Sequence, residues 1–446
     1  MKTLIKNGVI VNNGQLFCGH ILIDGDTIEY IGKELPEIQS NTQTINADKQ
    51  LVLSGVIDEH VHFREPGLTH KADFESESRA AVAGGVTSFM DMPNVNPQTT
   101  TNQLLDERAA LAAEKSVANY AFYLGATNNN IDEIRTADIS RVCGIKLFMG
   151  SSTGNMLFNQ TDMLEHVFAE SPCIIVAHCE DEQIIRANIE RYKALPANEV
   201  DATCHPKIRT AEACLKSTER AVALATKYGA RLHVAHLSTA AELALFEAKL
   251  LSEKKITAET CPHYLFFDEA DYQTLGYRIK CNPSIKSAAD REALTEALTS
   301  GKIDTIGTDH APHLPAEKFG DSYFTSASGM PSIQHSLLAM LDLWKAGRIS
   351  IENVVRKMCH APADLFQIDR RGYLRKGYKA DIVIVDTNKP QTVTTTNTLY
   401  KCGWSPFEGH TFGSTVTHTF VNGNLVYCNG EFVSDRKGEA LKFDRL

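Results

Sequence analysis

Leu51-Val52-Leu53 opens an apolar run that leads to Asp58-Glu59-His60-Val61-His62-Phe63-Arg64. Read as a β-strand, it projects residues i and i+2 from one face, so His60 and His62 share a side. Neutral imidazole nitrogen ligates zinc and related cations, and a His-x-His pair at a strand's end grips an ion without a long loop. The chain has 16 histidines, so two falling together by chance is the plainer alternative, and further ligands must decide.

The surrounding pattern repeats. From residue 51 to 310, short β-branched runs alternate with amphipathic segments, as expected of repeated βα units and a parallel sheet. Eight strands are predicted: Val52 to His62, Val86 to Met92, Tyr120 to Leu124, Gly144 to Phe148, Cys173 to His178, Arg231 to His236, Ile256 to Thr260 and Ile303 to Asp309. That number and spacing predict an α/β fold, a (β/α)8 barrel of the TIM type, over residues 51–368. Between strands, Cys214, Leu215, Thr218, Val222 and Ala225 recur at helical spacing from Glu212 to Tyr228, and Gly229 marks the helix end. Residues 1–50 and 369–446 alternate as strands do, with turn signals at Asn7-Gly8, Asp24-Gly25, Asn422-Gly423 and Asn429-Gly430. They are expected to pair into one small β-sandwich domain built from both termini.

Composition narrows the partners. The 446 residues are 43% hydrophobic, enough for a large core, and the net charge of -10 argues against nucleic acid. No run of Lys and Arg with interleaved aromatics appears. Met1 to Ile10 lacks the apolar region of a signal peptide, and no apolar stretch reaches the roughly 18 residues a membrane span needs, so a cytoplasmic protein is expected. Eleven cysteines without a Cys-x-x-Cys suit reduced core thiols better than disulfides. A homo-oligomer, by default a dimer, is the expectation for a soluble enzyme of this kind.

Barrel enzymes place their chemistry at the C-terminal ends of the strands. Here those ends carry His60 and His62, Lys146, His178, His236 and Asp309. Such a set binds metal if the lysine becomes anionic, because an ammonium repels a cation. Carbamylation by CO2 does this, and the carbamate's two oxygens can bridge cations about 3.5–4 Å apart.

Taken in order, Asp58 to Gly67, Asp91-Met92-Pro93-Asn94, Lys146-Leu147-Phe148-Met149, Ala177-His178-Cys179-Glu180, His233-Val234-Ala235-His236-Leu237-Ser238 and Gly307-Thr308-Asp309-His310-Ala311-Pro312-His313 carry a family likeness. The chain resembles the dihydroorotases of the amidohydrolase superfamily over nearly its whole length. The resemblance implies two zinc ions per subunit, bridged by N6-carboxylated Lys146 and a hydroxide. His60, His62, Lys146 and Asp309 would hold one; Lys146, His178 and His236 would hold the other. It further implies reversible hydrolysis of the cyclic amide of (S)-dihydroorotate to N-carbamoyl-L-aspartate, a step of de novo pyrimidine biosynthesis, with Asp309 as catalytic base and acid. His62, Arg64, Asn94, Asn282, His313 and Gly329 match the substrate contacts.

Arg64, two residues beyond His62 on the same strand face, can hold a carboxylate through two parallel hydrogen bonds. Related allantoinases usually carry Asn after His-x-His-x, and hydantoinases lack the Arg-Glu-Pro-Gly run. A loop salt bridge is the plainer role for Arg64, and turn formation beside Pro93 and Pro283 is the plainer role for Asn94 and Asn282. Two segments depart from the family pattern: Asn282-Pro283-Ser284-Ile285-Lys286, where Asn-Pro-Pro-Leu-Arg is usual, and Ala327-Ser328-Gly329-Met330-Pro331-Ser332. Three other histidines are expected outside the site: His263 as a core residue, His205 in a loop, and His310 on the opposite strand face. The alternatives are an allantoinase or hydantoinase-type cyclic amidohydrolase, or a non-catalytic scaffold of this fold, against which the full set of ligands weighs.

Overall fold

Gly55 divides the apolar run that opens the barrel, and its two halves join different sheets. In the computed structural model, which describes residues 2–150, 156 and 161–445, Leu51–Ser54 belongs to a nine-stranded sheet and Val56–Val61 to an eight-stranded parallel one. The single strand expected from Val52 to His62 is therefore two. Backbone crowding explains the break: a Cβ on residue 55 would lie 2.0 Å from Thr87 Oγ1, so a glycine carries the chain from one sheet to the other.

The barrel strands are Val56–Val61, Val86–Asp91, Asn119–Gly125, Val142–Phe148, Ile175–His178, Leu232–Val234, Ile256–Thr260 and Thr305–Ile306. Each pairs with its neighbours in sequence. The ring closes where the His62 N–H donates to the His310 carbonyl at 2.8 Å, beside a bridge from Val61 to His310. All of the expected strands are present, the sixth and last shorter than anticipated. His236 and Asp309 have φ of +44° and +47°, so the chain leaves strand geometry at those residues. The helix predicted to end at Gly229 spans Ala211–Tyr228; Thr210 caps its start, Gly229 ends it at φ +66°, and Ala213, Cys214, Ser217, Thr218, Ala221 and Ala225 face inward.

Strands from both termini build the nine-stranded sheet, in which Ile382–Asp386 pairs with Leu51–Ser54 and Thr415–Val421. Side-chain alternation explains how it docks. Ile382, Ile384 and Val52 pack with Ile5, Ile21, Ile23 and Phe420 on one face, while Val383, Val385, Leu51 and Leu53 join the barrel's core on the other. Each such side chain, fully buried, contributes about 1.5–3 kcal/mol. The last residues seal the end of the barrel away from the strand C-termini: the Leu441 N–H donates to the Tyr120 carbonyl at 2.8 Å, and Arg445 donates to those of Val142 and Cys143, both at 2.7 Å. The cysteines are free thiols, and no helix among the described residues is long and apolar enough to cross a membrane.

Gly55→Ala is expected to destabilise the protein by about 1–3 kcal/mol through overpacking against Thr87. Thermal unfolding measures the loss, and adding Thr87→Ala should recover most of it; an unchanged midpoint for the single variant would contradict the crowding.

Candidate active site

A cavity of about 140 Å³ opens at the strand C-termini, and its lining includes His60, His62, Arg64, Asn94, Lys146, His178, His236, Asn282, Asp309, His313 and Gly329. Every site residue predicted from sequence thus faces one space. A larger cavity of about 300 Å³ lies outside the barrel against Leu105, Tyr120, Phe122 and Leu441, and gathers no convergent ligand set.

Buried carboxylates hold the His-x-His segment. Asp58 accepts the N–H groups of His60 at 3.2 Å and Thr308 at 3.0 Å, and the Thr308 hydroxyl at 2.6 Å. Asp91 accepts the Phe63 N–H at 3.0 Å and is ion-paired with buried Arg108, which also donates to the Met92 carbonyl at 3.0 Å. These bonds fix the backbone on either side of His62.

Each imidazole has an orienting partner. His60 Nδ1 is 2.8 Å from Glu259 Oε1, and the same oxygen accepts the His236 N–H at 3.0 Å. His62 Nδ1 is 2.8 Å from Asn94 Oδ1, which leaves its Nε2 at 3.0 Å from Asp309. His178 lies between His236 Nε2 at 2.8 Å and Glu180 Oε2 at 2.9 Å. Such outer contacts set the tautomer and direction of a metal-binding ring.

Donor chemistry fits a cation. His60, His62 and Asp309 offer ligand atoms within 4.8 Å of one another. Burial pulls His62 down to about 4 and also lowers His178 and His236, so these rings stay neutral with a lone pair to share. Burial opposes ionisation of Asp309, yet His60 and His62 hold its carboxyl well below the usual range. Lys146 completes the ring of donors. It is fully buried, its Nζ has no hydrogen-bond partner among the described residues, and burial lowers it to about 8. A buried amine left unpaired among histidines and a carboxylate marks a site incomplete without further charge.

The pocket wall opposite is cationic. Arg64 does not reach it by strand alternation, because the strand ends at Val61; a φ of +69° turns the residue inward instead. Its Nε donates to the Pro312 carbonyl at 3.1 Å, and its Nη2 is 3.3 Å from His313 Nε2. No carboxylate among the described residues pairs with this buried guanidinium, so the surface salt bridge does not form. Gly329 closes the wall at φ +128°, where a Cβ would meet the Ala311 carbonyl at 2.7 Å.

The Amidohydrolase family model matches residues 51–426. The chain belongs to this family. A dihydroorotase from Halobacterium salinarum is 35% identical, covering 95% of this chain and 96% of the relative. An allantoinase from Bacillus velezensis is 33% identical, covering 96% and 94%. Among solved structures, an L-hydantoinase from Arthrobacter aurescens superposes with a TM-score of 0.92 at 29% identity, covering 99% of each chain. This amidohydrolase is a hydrolase of cyclic amides.

The three histidines set aside in the sequence lie outside the cavity lining. His310 turns away to Glu77 at 2.8 Å, and His263 is buried against the Tyr264 ring at 4.2 Å. His205 is not a loop residue: it is buried in a short helix and bridges the Tyr323 hydroxyl at 2.8 Å and the Cys281 carbonyl at 2.7 Å. Sequence reasoning missed Glu259, which with Glu59 and His233 forms a fully buried group beneath the site. Its signal was an acidic residue inside the apolar strand Ile256–Thr260.

Glu259→Gln removes the charge that orients His60. Metal affinity is expected to fall on the order of 10–100-fold, read by chelator competition; wild-type retention would contradict the orienting role.

Proposed function

We propose that this cyclic amidohydrolase is a dihydroorotase, opening the ring amide of (S)-dihydroorotate to N-carbamoyl-L-aspartate and closing it in the biosynthetic direction. One observation carries the reading: a buried Arg64 without a carboxylate partner faces the cavity that holds the candidate metal ligands. Dihydroorotate brings the missing carboxylate, whereas hydantoin and allantoin carry none. Lys71, 3.3 Å from His313 Nδ1, is already paired with Glu317 at 3.0 Å, so Arg64 is the cation of this wall that faces the cavity.

His60, His62, Lys146 and Asp309 would hold one zinc ion, and Lys146, His178 and His236 a second, with Lys146 carboxylated by CO2. Two cations there supply Lewis acidity and lower the pKa of a water to roughly 7. Arg64 clamps the substrate carboxylate and so sets the ring's position over the cavity floor. Asp309, held as the anion, accepts the proton of the attacking water and passes it to the departing ring nitrogen. Asn94 keeps His62 aimed at Asp309, and Asn282, His313 and Gly329 bound the space left for the ring. The allantoinase and L-hydantoinase likenesses support a second reading, a neutral cyclic ureide as substrate.

Side-by-side assays with dihydroorotate, allantoin and hydantoin separate the two. Arg64→Ala should lower kcat/KM for dihydroorotate on the order of 100-fold or more, because two charge-assisted hydrogen bonds are lost; intact turnover would remove the carboxylate clamp. Asp309→Asn should lower kcat about 100-fold or more.

Carbamylation follows the neutral amine. With Lys146 near pKa 8, that fraction rises with pH, so at fixed dissolved CO2 the metal-free protein supplied with zinc should regain activity on the order of 10-fold faster at about pH 8.5 than at about pH 6.5. Intact-mass analysis should show one added CO2; an unmodified lysine in active enzyme would refute the bridge.

A further inference from the structure

Two lysines behind the pocket wall supply hydrogen-bond donors that the chemistry above does not use. Lys318 is fully buried and Lys280 is 4% exposed. Every hydrogen bond from the two side chains ends on a backbone carbonyl. Lys318 Nζ donates to the carbonyls of Lys280 and Gly329, both at 2.6 Å, and of Ala327 at 3.2 Å. Lys280 Nζ donates to those of Tyr323 and Ser326, both at 2.6 Å, and lies 4.2 Å from the Tyr323 ring centre. Lys318 faces the Trp404 ring at 5.7 Å.

Burying an ammonium without a counter-charge is costly: burial with the nearby Arg209 guanidinium pulls Lys280 down to about 7, and burial beside Lys280 pulls Lys318 well below the usual lysine range. The carbonyls so gathered join two segments that both line the cavity. One runs from Tyr323 to Met330 and contains Ser328 and Gly329; the other is Lys280-Cys281-Asn282. The Gly329 N–H donates to the Lys280 carbonyl at 2.9 Å, and His205 ties the same segments again through Cys281 and Tyr323. At the inner end, the Ser328 carbonyl lies 3.1 Å from His313 Nε2, beside Arg64. Without the two lysine side chains, these carbonyl dipoles would crowd one another with no donor between them.

We propose that Lys280 and Lys318 are positioning residues, a paired-lysine staple whose hydrogen bonds hold 323–330 against 280–282 so that Asn282, Ser328 and Gly329 form the wall facing Arg64 and His313. Neither lysine lines the cavity, so the staple acts on how tightly the ring is held rather than on bond cleavage. The inference rests on this cavity binding a cyclic amide, not on dihydroorotate being that amide.

The test uses full-length, metal-loaded Lys318→Met and Lys280→Met. Steady-state kinetics with dihydroorotate are paired with hydrogen exchange of peptides covering 323–330. In each variant KM should rise about 10-fold or more with kcat within about 3-fold of wild type, since ground-state and transition-state binding are lost together. Exchange should quicken in 323–330 and stay unchanged in the strand Ile256–Thr260. Metal content should be retained. If wild-type protein is inert towards dihydroorotate, the substrate reading fails, and the kinetics are run with whichever of allantoin or hydantoin it turns over. Wild-type KM and exchange in both variants would overturn the staple. So would kcat and metal content falling together with KM, or failure of both variants to fold, each of which assigns the lysines to general stability.

Discussion

Closure of the barrel between its first and last strands is the constraint on which the site depends. The two strands are far apart in sequence, yet the Asp58 carboxylate accepts both the N–H and the hydroxyl of Thr308, at 3.0 and 2.6 Å. The register so fixed brings His60 and His62 within 3.4 and 3.0 Å of Asp309. Three residues then take left-handed backbone, Arg64 at +69°, His236 at +44° and Asp309 at +47°. Each such conformation costs about 1–3 kcal/mol in a non-glycine residue. Buried hydrogen bonds offset that strain, among them the His236 N–H to Glu259 at 3.0 Å and the Arg64 side chain to the Pro312 carbonyl at 3.1 Å.

Floor and wall of the cavity have separate physical characters. The floor gathers neutral imidazoles, an anionic Asp309 and an unpartnered Lys146, a donor set suited to cations. The wall gathers Arg64 and His313 with Ser328 and Gly329, a surface suited to an anionic ring substituent. The dihydroorotase and allantoinase relatives align over nearly the whole chain, and the L-hydantoinase shares its overall fold. In the reading proposed above, selectivity among such substrates resides in the wall, where the Arg64 guanidinium favours a substrate that brings a carboxylate.

Much of this was legible in the sequence because strand-end residues leave a local mark: a βα repeat, then a polar side chain where an apolar run stops. His60, His62, His178, His236 and Asp309 stand out that way and Lys146 as a lone charge inside an apolar strand, and all line one cavity. Gly55 hid the sheet change, since a glycine inside an apolar run looks the same whether the strand continues or switches partners. Arg64 reached the pocket by a backbone turn that alternation does not predict. Glu259 was obscured within its strand, and its partners His60 and His236 come from other strands. His205, Lys280 and Lys318 were opaque for another reason: they bond mostly to backbone carbonyls, which have no side-chain signature.

Diffraction at the zinc absorption edge, from crystals grown with zinc and bicarbonate, tests the central claim most directly. Two anomalous peaks should flank Lys146, one beside His60, His62 and Asp309 and one beside His178 and His236, with density extending past the lysine amine. A lone peak, peaks confined to Glu59, His233 and Glu259, or a bare lysine between two empty positions would contradict it.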